Sequence, residues 1–337
     1  MNARWSNPVL LAAMVLLFIA GLFSGPAQLA WSEEWRALSG EGSPTAVTIM
    51  WQLRLPRLMT AVLSGASLGL AGLLMQTYFR NPLAGPSVLG VTSGATLGVA
   101  LVALGGATLG WMPHALNMAP QVMGALLGSG AVMVLLGLVM GQFRSRTALL
   151  IFGLMVGYLA GALVTVLQAG AEAGALQAFV HWGMGSFSQG GWTPCAIVAV
   201  ALVGAVFWVR RTASLLDMWT MGALTARTMG VDERKLSWGA LGTAGVLAGL
   251  VTAWCGPIAF LGLATPHLVR AAGAPRRHAG LLWPVLLTGA TLALFADGVV
   301  RWFGVPLNAV LSLVGAPVVL MLIIRRGRWS SSQAQGA

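Results

Sequence analysis

Apolar runs recur along this chain at about the ~20 residues a helix needs to cross a bilayer, and that feature excludes most folds. Runs such as "AVMVLLGLVM" (131–140) do not alternate polar and apolar residues, as the strands of a membrane barrel would. Composition agrees: 57% of the 337 residues are hydrophobic and 8% charged, where a soluble chain carries about a quarter charged. The sequence predicts an all-α polytopic membrane protein with ten transmembrane helices, near 8–25, 57–78, 87–107, 118–142, 147–169, 192–209, 237–253, 256–270, 280–300 and 307–324. The eighth follows "CGP" and is short, like the half-helices of transporters. No linker divides the chain, so 1–337 reads as one transmembrane domain. The first run has Arg4 upstream and "AQLA" (27–30) beyond it, elements of a signal peptide. It is read as an uncleaved first helix.

A net charge of +11 would suggest nucleic acid in a soluble protein. Here arginines flanking the spans account for it, since cytoplasmic loops collect Lys and Arg, and no nucleic-acid partner is expected. With the N-terminus inside and ten alternating spans, fifteen of nineteen basic residues fall on the inner side, among them Arg4, Arg144, Arg146, Arg276, Arg325, Arg326 and Arg328. Both termini are then cytoplasmic, 26–56 forms an external loop and 210–236 a cytoplasmic one. The outer side keeps only Arg36, Arg54, Arg57 and Arg301, where the rule gives them no purpose.

Chemistry is sparse. The only lysine, Lys235, precedes a leucine, so there is no phosphate loop. No HExxH or GxSxG occurs, and His114, His181, His267 and His278 are far apart. Cys195 and Cys255 have no metal or redox spacing and read as packing residues. The span interiors hold almost no ionisable groups, unlike most ion-driven carriers; Asp297 and Arg301 have the spacing of a local helical pair. An enzyme is disfavoured. A transporter that borrows its energy from a partner is expected, with an ion-coupled carrier or channel as the alternative of another class. Within 210–236, "LDMWTMGALTARTMGV" (216–231) is helical but too short and polar to span, and suits docking to a cytoplasmic partner. Small-xxx-small pairs (Gly65/Gly69, Gly94/Gly98, Gly124/Gly128, Gly153/Gly157/Gly161, Gly245/Gly249) predict close helix packing.

Over "LRLPRLMTAVLSGASLGLAGLLMQTYFRNPLAGPSVLGVTSGATLG" (53–98) the chain resembles the FecCD family, membrane permeases of type II ABC importers for iron-siderophores, haem and cobalamin. "GPIAFLGLATPHLVR" (256–270), "ADGVVR" (296–301), "PLNAVLSLVGAPVVLMLIIRR" (306–326) and "HWGMGSFSQGGW" (181–192) extend the resemblance over most of the chain after residue 50. It implies a homodimer in the cytoplasmic (inner) membrane, two cytoplasmic ATP-hydrolysing subunits, and an external substrate-binding protein. ATP would be used by the partner; no cofactor or metal is expected in this chain. The resemblance assigns Arg54, Arg57 and Arg301 to receiving carboxylates of the binding protein, with Pro56 setting the first turn of the helix that presents them. It assigns Met221, Gly222, Ala223, Ala226, Arg227 and Gly230 to the coupling contact with the ATPase, and Gln76, Arg80, Asn81, Pro82, Gly185, Ser186, Pro266 and His267 to structural or pathway roles. Two departures stand out: Ala223 replaces the family's usual glutamate, and "PRRHA" (275–279) alters its D-H-R stretch, which puts a copied role for His278 in doubt. His181, beside Trp182 and near Met184, reads as an interfacial residue, not a haem ligand. By family breadth the expected cargo is an iron-siderophore, then haem, then cobalamin.

Overall fold

The computed structural model describes residues 7–334 except 26, 28, 106–117, 144 and 276, with side chains as far as Met321 apart from those of residues 118 and 146. Arg4, Arg144, Arg276 and His114 therefore lie outside the described residues, as do the side chains of Arg146, Arg325, Arg326 and Arg328. The described chain is helical and contains no strand: α1 (Asn7–Phe23), α2 (Trp31–Leu38), α3 (Pro44–Phe79), α4 (Val91–Gly105), α5 (Met118–Val139), α6 (Arg146–Ala169), α7 (Ala173–Gly183), α8 (Trp192–Thr220), α9 (Ala223–Thr228), α10 (Glu233–Cys255), α11 (Leu261–Ala271), α12 (His278–Phe303) and α13 (Leu307–Ala334). A helix lies at each of the ten predicted spans. Six are long and apolar enough to cross a membrane, and Asn7–Phe23, Val91–Gly105 and Leu307–Met321 are shorter apolar helices. The eighth predicted span is the 11-residue α11, entered through a break at Gly256 with φ 73°.

The central element is α3, buried along most of its length and packed against α8, α10, α11 and α12. Its 36 residues reach about 54 Å at 1.5 Å per residue, well beyond a hydrocarbon core of ~30 Å, so one end stands clear of it. Pro56 does not begin this helix, as the sequence suggested. The helix starts at Pro44 and passes through a wider π-type stretch, Ile49–Arg54, just before the proline. Proline has no N–H to donate and crowds the carbonyl four residues earlier; the wider turn lets the chain continue. Likewise α8 runs on to Thr220, so the first part of 210–236 is helix.

Glycine makes the close contacts. Gly98 and Gly124, and Gly94 and Gly128, face each other across α4 and α5, so that a Cβ on any of the four would run into the opposite backbone carbonyl. Gly65 and Gly289 do the same between α3 and α12. Without a hydrophobic driving force between helices in lipid, such backbone approach supplies the van der Waals contact. Gly161 has open space beside it and takes no part.

Helix starts follow the sequence locally. Ser43, Ser145 and Asp232 accept from backbone N–H groups three residues on, meeting donors a helix start leaves free. The Lys235 backbone N–H bonded to Asp232 holds that carboxylate below its usual range.

Candidate functional site

At one end of the bundle, the C-terminus of α1 leaves carbonyls without partners, and two predicted docking arginines supply them. Arg301, on the last turn of α12, donates from one Nη to the Gly21 and Ser24 carbonyls, both at 2.6 Å. Arg54, on the π-type turn of α3, donates to the Leu22 carbonyl (2.8 Å), the Ala27 carbonyl (2.7 Å) and Glu34 Oε1 (2.7 Å). A cation at a helix C-terminus is also favoured by the helix dipole. Both are nearly closed off, at 8% side-chain exposure, and Glu34 is buried with Arg54.

Arg57 differs. Its Nε donates to Asp297 Oδ1 at 2.8 Å and its side chain is 21% exposed. No other described residue hydrogen-bonds to it, so its two terminal nitrogens remain available. Asp297, 1% exposed, touches both cations: its other oxygen lies 3.0 Å from Arg301 Nε, without the alignment of a hydrogen bond. The predicted Asp297–Arg301 helical pair is therefore present, and Asp297 also reaches α3. The structure thus gathers Arg54, Arg57 and Arg301 at one end, with two nearly closed off and one partly exposed.

Towards the same end, Asn308 at the start of α13 joins the end of α7 to the loop between α10 and α11. Its amide donates to the Pro257 carbonyl at 2.6 Å and the Gly183 carbonyl at 3.2 Å, and accepts from the Ala259 N–H at 3.1 Å. Gly185 (φ 75°) and Gly256 (φ 73°) permit the turns, and the Ser186 N–H donates to the Cys255 carbonyl at 2.8 Å. His181 and Met184 are exposed, and among the described residues no group of three possible metal ligands occurs.

The other motif residues, Gln76, Arg80, Asn81, Pro82, Pro266 and His267, meet at the opposite end. Gln76 donates to the Leu263 carbonyl at 3.1 Å and accepts from Arg270 at 2.5 Å. His267 Nε2 is 2.7 Å from the Pro82 carbonyl oxygen, and Asn81 Oδ1 accepts from the Leu83 N–H at 2.9 Å. Arg80 ends α3 in the left-handed region and is exposed, whereas Pro266 is buried within α11. The same end of α3 is tied to α8: Trp219 donates from Nε1 to the Tyr78 carbonyl at 3.1 Å, and the two rings stack 5.9 Å apart. His278 Nδ1 lies 2.5 Å from Asp217 Oδ1 and its Nε2 2.8 Å from Thr77 Oγ1, so this buried histidine joins α3, α8 and α12. Beyond Trp219 the chain turns at Gly222, whose φ of 128° suits only glycine, into α9. Ala226 is buried, anchoring the loop, and Met221, Leu224 and Met229 stand exposed at 67%, 77% and 52%. Ala223 is half-buried, Gly230 turns the chain at φ 86°, and Arg227 pairs with Glu233.

Sequence reasoning missed the partners more than the sites. Glu34 read as a loop carboxylate, and only the apolar spacing of Trp31, Trp35 and Leu38 marked its helix as amphipathic. Asp217 and Asn308 gave no local signal, because their partners lie far away in the chain.

The model of the FecCD transport family matches residues 13–325. A vitamin B12 import system permease protein from Photorhabdus laumondii is 33% identical over 326 residues, covering 96% of this chain and 93% of the relative. The corresponding protein of Escherichia coli O157:H7 is 32% identical over 334 residues, 97% of each. Among solved structures, a metal-chelate type ABC transporter in an inward-facing conformation superposes with a TM-score of 0.82 at 28% identity, covering 95% of this chain and 98% of that one. A chain of PsaBC from Streptococcus pneumoniae shares the fold, with a TM-score of 0.56 at 18% identity over 79% of this chain and 89% of that one.

Proposed function

The chain belongs to the FecCD transport family and is a membrane permease of the type II importer class, and from that premise we propose that it carries a metal chelate from an external binding protein across the inner membrane. ATP is hydrolysed by separate subunits on the cytoplasmic side; this chain holds no cofactor of its own. Two copies form the working permease, with both termini of each in the cytoplasm. The cargo expected from the sequence was an iron-siderophore. The specific support lies with cobalamin, because the Photorhabdus laumondii and Escherichia coli relatives are vitamin B12 import permeases.

The observation that carries the reading is the single helix α3, which holds Arg57 just past its π-type turn and, near its C-terminal end, Tyr78 stacked on Trp219. The twenty-one residue steps from one to the other correspond to about 32 Å of helix, enough to join an outer docking site to an inner coupling site. Arg57 presents an unused pair of N–H groups to a carboxylate of the binding protein, which a guanidinium grips bidentately. Arg54 and Arg301 tie α3 and α12, which carry Arg57 and Asp297, to the end of α1. One exposed ion pair contributes only ~0.2–1 kcal/mol, so docking relies on both copies and on electrostatic steering. Met221, Leu224 and Met229 form the apolar tip that seats on the ATPase, with Arg227 held back by Glu233.

The test is stimulation of ATP hydrolysis in the reconstituted permease–ATPase complex by its binding protein loaded in turn with cobalamin, a ferric siderophore or haem. Cobalamin should stimulate most. Greater stimulation by either other chelate would replace the cargo, and none by any would overturn the reading.

A further inference from the structure

The helix α2 has three faces. Glu34 and Ala37 are buried against the protein, Ser32 and Arg36 are exposed and polar, and Trp31 and Trp35 stand 64% and 53% exposed. The two indoles pack on Phe23, the last residue of α1, at ring distances of 4.9 and 5.0 Å. Phe23 decides what covers them. On α1 the residues Val15, Leu16 and Ile19 are exposed while Leu10 and Gly21 are buried, and Phe23, half-buried, follows one turn beyond Ile19 at the end of that stripe. In a membrane permease that stripe faces lipid, so the indoles cap a lipid-facing surface where it reaches the interface. Other exposed aromatics lie towards the same end of the bundle: Trp51, Trp192, Trp302 and Phe303. Amphipathic rings collect at such boundaries.

We infer that α2 is an interfacial anchor that seats Trp31 and Trp35 among the phospholipid headgroups of the outer leaflet, beside α1. The charge around it disfavours an acidic protein as occupant, since Glu33 and Glu41 belong to this segment in addition to the Glu34 that Arg54 neutralises. The anchor is joined to the arginine cluster by the Glu34–Arg54 pair and by the Trp51 indole, which donates to the Ala37 carbonyl at 3.2 Å. It thereby sets the depth of the docking end relative to the membrane surface. The inference rests on the membrane-permease reading, and the test separates the two.

The full chain is reconstituted in phosphatidylcholine nanodiscs with single spin labels at positions 16, 31, 35 and 36, and collision with oxygen is compared with collision with a water-soluble nickel chelate. Positions 31 and 35 should favour oxygen severalfold and position 36 the nickel chelate. Nickel-dominated collision at 31 and 35, with position 16 still oxygen-dominated, overturns the anchor and leaves the permease reading standing. Water access at position 16 as well would overturn both. The unlabelled protein supplies a second measurement: the fluorescence difference between wild type and Trp31→Phe/Trp35→Phe should be quenched by lipid brominated near the headgroup. Quenching by iodide instead, with protection only when the binding protein is added, overturns the lipid anchor in favour of protein docking.

Discussion

Replacing Asp297 by alanine tests the arginine cluster directly. The carboxylate is 1% exposed, accepts from Arg57 Nε at 2.8 Å and lies 3.0 Å from Arg301 Nε. Its loss leaves Arg301 as a cation at 8% exposure, and breaking a buried pair from one side costs about 3–5 kcal/mol. Arg301 keeps its bonds to the Gly21 and Ser24 carbonyls, which places the cost near the lower end. Arg57, at 21% exposure, is partly hydrated and adds at most roughly 1 kcal/mol. Asp297→Ala should therefore lower stability by about 3 kcal/mol, roughly a hundredfold in the folding equilibrium, while Asp297→Asn, which keeps an acceptor for Arg57, should lose less. The assay is unfolding in mixed micelles followed by tryptophan fluorescence, run as a double-mutant cycle with Arg301→Leu. A loss under about 1 kcal/mol, or strict additivity with Arg301→Leu, refutes the pairing. Binding-protein affinity gives a second readout with opposite signs for two accounts. If only net charge mattered, removing a carboxylate would tighten docking of an acidic partner. If Asp297 positions Arg57, docking weakens.

Arg57→Ala should weaken binding-protein association about tenfold with little change in stability, whereas Arg54→Ala should destabilise by about 3 kcal/mol because Glu34 is left buried and unpaired; affinity and melting measured on both variants check the split. Leu224→Asp together with Met221→Asp should abolish co-purification of the ATPase without affecting binding-protein association, as read by pull-down from either side. Gly98→Leu, which drives a side chain into the Gly124 carbonyl, should lower stability by about 1–3 kcal/mol, whereas Gly161→Leu, with open space beside it, should be neutral in unfolding assays of the single chain.

Much of this is legible in the sequence. Apolar length located a helix at each of the ten spans, because the bilayer sets how long a helix must be, and glycine spacing predicted close helix packing, which α4 and α5 show. The count of basic residues left Arg36, Arg54, Arg57 and Arg301 as arginines with no topological reason to be there, and the motifs picked out the last three. It did not reveal that Arg54 and Arg301 cap α1, since a helix C-terminus seeks donors wherever the fold brings them. The Arg57–Asp297 bond spans 240 positions and leaves no periodic trace, unlike the four-residue spacing of Asp297 and Arg301. Pro56 misled for a local reason: a proline near an apolar run usually marks a helix start, and the π-type turn before it has no clear sequence signature.

The central claim, that this chain is the permease of an ATP-driven chelate importer, is tested most directly by uptake into sealed proteoliposomes holding the permease, with and without its ATPase. With cobalamin-loaded binding protein on one side and ATP on the other, accumulation should occur only when the ATPase and ATP are both present, and an imposed proton or sodium gradient should not replace them. Uptake by the permease alone, driven by such a gradient, would contradict the account.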